Sequence, residues 1–422
     1  MSRTGSEGLG AFAGVRKGVI DGVRDVGRYW AEEWSSLRRG LTAILLTAVT
    51  GMIAGLTLAS AEETLERLPG LLLLIPAAID MRGNIYGALA SRLSTALHLG
   101  TYEIEFRRRG FMGRQLEATT LLTIGTSVII AVVAWIFGAA LGLEPIPVWK
   151  LVVIATLGGA LASVFLVAVT VVLSRVAQLR DWNMDDVGAP SVTVIGDILT
   201  VPAILLAAMI VDHEPVALLL GVLLGLLGLW CLVGGWLHRD AVVRRIVRES
   251  LVALTAAAGV GVVAGTVLEV RIEQWIAAPV LLIMIPSFIA NCGSLGGILS
   301  SRLASKLHLG LIEPSVQPSR LAWLDISVVF LFAVFAFSAI GTSAWAAATL
   351  FGHGAPPIGS VVSLTLTAGF LATLLLAGVA YATATASVHF GLDPDNEGIP
   401  IVTSAMDLLG LLALVGAVSL LW

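Results

Sequence analysis

Charge is what this sequence has least of. Only 13 % of its 422 residues are Asp, Glu, Lys or Arg, against 57 % hydrophobic, where a water-soluble domain carries roughly 25 % charge. That deficit excludes a water-facing surface over most of the chain, so the expected solvent is the lipid bilayer. Cysteine is scarce as well. Cys231 and Cys292 both lie within apolar runs, too isolated for a disulfide framework or a Cys/His metal site. They read as small core residues. The net charge of −4 says little about partners, and no nucleic-acid partner is expected.

What is abundant is apolar length. Runs near the ~20 residues that span a bilayer fall at about 41–60, 116–142, 148–174, 189–211, 215–237, 251–268, 323–350, 358–387 and 399–422. Two more polar segments, 69–99 and 279–309, bring the expected spans to eleven. The first run follows a polar leader and is too long for a signal peptide, so it reads as a retained helix. Lys and Arg fix the orientation. With residues 1–40 inside, 18 of them fall on that side and only Arg67, Lys150 and Arg271 on the other. The positive-inside rule then makes the N-terminus cytosolic in a multi-pass protein of the cell membrane.

The chain also repeats itself. "IPAAIDMRGNIYGALASRLSTALHLG" (75–100) returns as "IPSFIANCGSLGGILSSRLASKLHLG" (285–310), identical at 13 of 26 positions and displaced by 210. "DDVGAPSVTVIGDIL" (185–199) and "DNEGIPIVTSAMDLL" (395–409) align at the same offset. The predicted fold is therefore all-α: a leader (1–40), a first five-helix repeat (41–211), a linker helix and cytosolic loop (212–250), and a second five-helix repeat (251–422). Five crossings would leave directly joined repeats upside down to each other, and the lone helix restores parallel orientation. Parallel repeats are related by an axis along the membrane normal, as in a dimer fused into one chain.

Equivalent residues then face each other across that axis. Asp197 and Asp407 match at the 210 offset, well inside their spans. A carboxylate in hydrocarbon costs at least ~2.5–3.5 kcal/mol, so such acids point at a cavity, a partner or an ion. Thr193 and Thr403 stand one turn earlier on the same face. Pro190 and Pro400 suit the first turn of a helix. Two such faces make an oxygen-rich ring suited to a hard cation. Mg²⁺ fits it, since that ion keeps several waters and takes one or two carboxylates. Pro76 and Gly83 read as break points in the long segment 69–100, with Asp80 and Asn84 at the break and Asn291 and Ser294 in the second copy. All four are candidate pore-lining residues. His98 and His308 suit helix C-termini, and Gly87, Gly297, Ser91 and Ser301 suit close helix packing.

The arrangement Pro76-x6-Gly83-Asn84, followed by Arg92 and Gly100, resembles the second membrane helix of the MgtE family of magnesium transporters. "GAPSVTVIGDIL" and "GIPIVTSAMDLL" resemble that family's fifth helix. The tandem form is similar to solute carrier family 41, in which two such units are fused. The resemblance implies a largely hydrated Mg²⁺ held in a central pore by Asp197 and Asp407, with the backbone carbonyls of Thr193 and Thr403 assisting and Asn84 lining the pore. It departs from the family where the second copy reads Gly293-Ser294. The family's bacterial members carry a large cytosolic sensor domain; with about 40 residues before the first span, no such plug is expected here. Deleting residues 1–30 is accordingly expected to leave transport nearly intact.

The function expected is thus a divalent-cation channel or transporter, working as a single-chain pseudo-dimer with Mg²⁺ as the transported ion. The alternative is an H⁺- or Na⁺-coupled carrier of another solute or ion. An enzyme is not expected. A membrane aspartyl protease also needs two intramembrane acids, but a shared catalytic dyad requires unlike roles, not repeat-related identity.

Overall fold

The computed structural model describes residues 26–31, 34–103, 107, 110–180, 184–315, 317–390 and 399–422. Most of the leader, together with Asp395 and Gly398, lies outside the described residues. Described segments form helices and connecting loops, with no strand among them. In chain order the helices are α1 (Trp34–Ala59), α2 (Glu62–Arg67), α3 (Leu71–His98), α4 (Phe111–Ala140), α5 (Val148–Arg180), α6 (Met184–Ala208) and α7 (Glu214–Trp236). They continue as α8 (Ala241–Glu269), α9 (Ile272–Ala277), α10 (Pro279–His308), α11 (Arg320–Leu350), α12 (Ile358–His389) and α13 (Ile399–Leu421). The 210 offset survives folding. His98 and His308, Ala140 and Leu350, Val148 and Ile358, and Glu62 and Ile272 are matched helix ends.

Ten helical stretches among the described residues are long and apolar enough to cross a membrane, and the chain is an all-α polytopic membrane protein. The eleventh expected span is α3, whose Asp80, Arg82 and Arg92 dilute its apolar content. Its counterpart α10 qualifies.

Two expectations need correction. The first is the break at Pro76 and Gly83: α3 is one continuous helix from Leu71 to His98. Pro76 sits in its second turn and removes a single hydrogen bond, to the Leu72 carbonyl. Gly265 packs against that carbonyl and the backbone of Leu73, so the neighbouring helix closes over the gap. The second is Pro190, which lies seven residues into α6, not in its first turn, because the helix begins at Met184. Pro400 does fall in the first turn of α13. The run at 251–268 also lengthens, since Asp240 caps α8 ten residues earlier by accepting from Val242 N at 2.8 Å.

The halves interlock. α1 packs on α10 and α8 packs on α3, so the first long helix of each half lies against the second long helix of the other. Glycines make this approach possible. A Cβ on Gly51 would meet Ser287 and one on Gly261 would meet Ala77; Gly55 faces Ile283, and Gly265 faces Leu72 and Leu73. Each contact in one set is the other displaced by 210. Such reciprocity is the signature of a two-fold relation. α7 stands apart, flanking α4 and α5 through Gly221 on Trp149 and Gly228 on Val128.

The interlock carries one asymmetric clasp. Buried Glu269, at the end of α8, accepts from Gly70 N at 2.6 Å and Leu72 N at 3.1 Å. It thereby caps the start of α3, where free amides favour a negative group. Its counterpart is Ala59, and α10 instead begins with Pro279, whose missing N–H needs no cap.

Candidate functional site

Four helices supply the candidate residues: α3 and α6 from the first half, α10 and α13 from the second. α3 packs on α6, and α10 on α13. The approach is close because glycine stands at the contacts. A Cβ on Gly83 would lie 3.3 Å from Thr193 Cγ2, and one on Gly87 would lie 3.9 Å from its Oγ1. On the other side, a Cβ on Gly293 would lie 3.6 Å from Asp407 Oδ1 and 4.0 Å from the Thr403 carbonyl oxygen. Each aspartate helix is thus pressed against the partner helix that precedes it in its own half.

The polar residues on these faces keep partial exposure inside an otherwise buried bundle. Asp80, Asn84, Thr193, Ser294, Thr403 and Asp407 are all half-buried, while Asp197 is 7 % exposed. Asp80 and Asn84 stand one turn apart on α3, near enough for the amide to act on the carboxylate. Asp80 and Asp197 sit within electrostatic reach of each other, and Asp407 within reach of both. The fold therefore gathers three carboxylates from three helices. Among the described residues no group of three His, Cys, Asp or Glu is close enough to hold a bare metal ion.

Not every candidate belongs to this face. Asn291 is fully buried, and its amide nitrogen donates to the Ser287 carbonyl at 2.9 Å. Ser294 keeps partial exposure, its hydroxyl donating to the Ala290 carbonyl at 2.9 Å. Ala290 is also what the second half has in place of Asp80, so the third carboxylate has no twin.

A second polar cluster, which the sequence reading missed, ties the leader to the second half. Asp325, with a fully buried side chain, pairs with Arg302 Nε at 2.8 Å and Lys306 Nζ at 2.6 Å. Tyr29 inserts its hydroxyl between them. It donates to Asp325 Oδ1 at 2.7 Å and accepts from Arg302 Nη2 at 2.7 Å and Lys306 Nζ at 2.9 Å. Trp30 Nε1 donates to Ser327 Oγ beside it. In the first half the matched positions hold Arg92, Ala96 and Gln115, and only one bond remains, Arg92 Nε to Gln115 Oε1 at 2.7 Å. The acid at 325 and its Gln counterpart are the sequence signal that could have found this cluster.

A family model described as MgtE, divalent cation transporter, matches residues 75–207 and again 285–417, two stretches again 210 apart. Solute carrier family 41 member 3 from Rattus norvegicus is 22 % identical over 392 residues, covering 87 % of this chain and 83 % of that protein. The Mus musculus protein of the same name is 22 % identical over 363 residues, covering 81 % and 73 %. No solved structure matches the chain.

Proposed function

The chain belongs to the MgtE family of divalent cation transporters, and from that premise we propose that it carries Mg²⁺ through a single pore between its two halves. The ion passes largely hydrated between Asp197 and Asp407, with the carbonyls of Thr193 and Thr403 as further oxygen ligands to its waters. Asp80, Asn84 and Ser294 line the same path. Repeats 41–211 and 251–422 act as the two halves of a pseudo-dimer joined by the linker helix. The protein sits in the cell membrane with its N-terminus cytosolic.

One observation carries this reading. Two acids matched by the repeat sit mid-helix, in mutual electrostatic reach and joined there by a third, in a bundle where unpaired charge is otherwise scarce. Intramembrane carboxylates that form no ion pair among the described residues mark an ion path. Their net charge of up to −3 attracts a dication.

The test is Mg²⁺ flux into proteoliposomes holding the purified full chain, at matched membrane potentials, with and without a Na⁺ gradient. Flux that follows potential alone supports a channel, and flux that requires the Na⁺ gradient supports a coupled transporter of the same ion. Absence of Mg²⁺ flux in both, with the protein folded and inserted, would overturn the assignment of the ion.

A further inference from the structure

Arg82 is 1 % exposed near the middle of α3, and it pairs with no acid among the described residues. Asp80 is two residues away on an unbroken helix, about 200° around its circumference, and cannot reach the guanidinium side. Of the five donors a guanidinium presents, only one found a partner: Nη2 donates to Ser127 Oγ on α4 at 3.0 Å. Nε and Nη1 are buried with no partner.

The surroundings are polar in the same unfinished way. The hydroxyls of Thr123 on α4 and of Thr156 and Ser163 on α5 are likewise buried without partners. Thr123 lies one turn before Ser127, whose hydroxyl donates to the Thr123 carbonyl at 2.7 Å. Thr156 and Ser163 bracket Gly159, where a Cβ would overlap Arg82 Nη2. Arg82 Nη2 thus meets α4 at Ser127 and α5 at Gly159, with the unused hydroxyls of Thr123, Thr156 and Ser163 each about one turn from that contact along their own helices.

The second half shows what this spot becomes when it needs no charge. At the 210 offset Arg82 is replaced by Cys292, Ser127 by Phe337, Thr123 by Ala333 and Thr156 by Leu366. Phe337 lies over Gly369, the counterpart of Gly159, and is 1 % exposed. The same fold therefore packs well with an apolar filling, and the polar one is not imposed by the architecture.

A guanidinium does not lose its proton in proteins, and an uncompensated charge at mid-membrane is costly. Each unmade buried hydrogen bond adds about 1–3 kcal/mol. Water would meet the donors but leave the charge. Only an acceptor-only group with a negative charge answers both. We propose that Arg82, through its unpartnered Nε and Nη1, forms a buried site for a small monovalent anion of the chloride class, with the unpartnered hydroxyls one turn away as further donors.

The experiment is thermal unfolding of the purified full chain in choline gluconate titrated with choline chloride or bromide at constant ionic strength. Both halides are expected to raise the Tm saturably by a few degrees. Bromide crystals should give an anomalous peak beside Arg82. The double variant Arg82→Cys with Ser127→Phe copies the second half's filling, and should fold while losing the halide response entirely. Thr156→Leu, copying Leu366, should weaken the response about tenfold, the scale of one lost hydrogen bond. A wild-type chain whose Tm ignores halide overturns the proposal, as does a double variant that keeps the full response.

Discussion

Replacing Asp197 by Asn keeps the side-chain volume and removes one charge from the path. The cost follows from geometry. Mg²⁺ holds its waters at about 2.0–2.1 Å, and a water-to-carboxylate hydrogen bond adds about 2.7 Å, so a carboxylate oxygen contacting the water shell lies about 4.5 Å from the ion. Asp197 is 7 % exposed and Asp407 half-buried, which places them between bulk water and protein interior. With an effective dielectric of about 40–80, a unit charge and a dication at that distance attract by about 2–4 kcal/mol. That corresponds to roughly 30- to 900-fold in affinity. Asp197→Asn and Asp407→Asn should each weaken Mg²⁺ binding, read by calorimetry on the purified protein, within that range. The double variant should bind almost none. Both single variants and the double binding and carrying Mg²⁺ as the wild type does would refute the reasoning and leave the acids as interhelical contacts.

Three further outcomes are expected. Tyr29→Phe removes three hydrogen bonds to Asp325, Arg302 and Lys306 while leaving those three paired, and trypsin should cut after exposed Arg28 several-fold faster. Burial raises the Tyr29 phenol above its ordinary 10.0, so its contribution to leader docking is fully present below pH 10 and lost as pH climbs through the raised value. A pH scan of the same cleavage should show that step in the wild type and lack it in Tyr29→Phe. Glu269→Ala strips the cap from Gly70 N and Leu72 N and should cost about 1–3 kcal/mol, seen as a lower unfolding midpoint, whereas Glu273→Ala, on the neighbouring short helix, should not. Gly265→Leu drives a side chain into the backbone of Leu72 and Leu73 and should abolish the folded chain, judged by size-exclusion chromatography; a monodisperse variant would show that the halves do not depend on this contact.

Much of the fold was readable because lipid imposes length and repeats impose register. The 210 offset in "SRLSTALHLG" and "SRLASKLHLG" returned as matched helix ends. That Asp197 and Asp407 hold matched positions in α6 and α13 likewise needed only the alignment. The Pro76 break misled because proline removes one bond wherever it stands, and sequence does not tell whether a neighbour covers the loss. Here Gly265 does, from nearly 200 residues away. Asn291 misled for a related reason: being polar and near Ser294 does not say which side of the helix is wet. The Tyr29 cluster was hidden because its members lie at 29, 302, 306 and 325, and only the folded chain brings them together.

The unmatched residues explain what one fused chain can do that two identical subunits cannot. In a homodimer every substitution appears twice around the axis. A second Arg82 would put another uncompensated charge in the bundle, and a second Asp80 would raise the path to four carboxylates around one dication. Fusion frees each position to differ. Asp80 stands on α3 once, against Ala290; Arg82 lies within the first half once, against Cys292; Glu269 clasps α3 once, against Ala59. The matched residues, Asp197 with Asp407 and Thr193 with Thr403, are those an ion on the axis would touch from both sides. The matched acids and threonines keep their symmetry, and the residues around them have diverged.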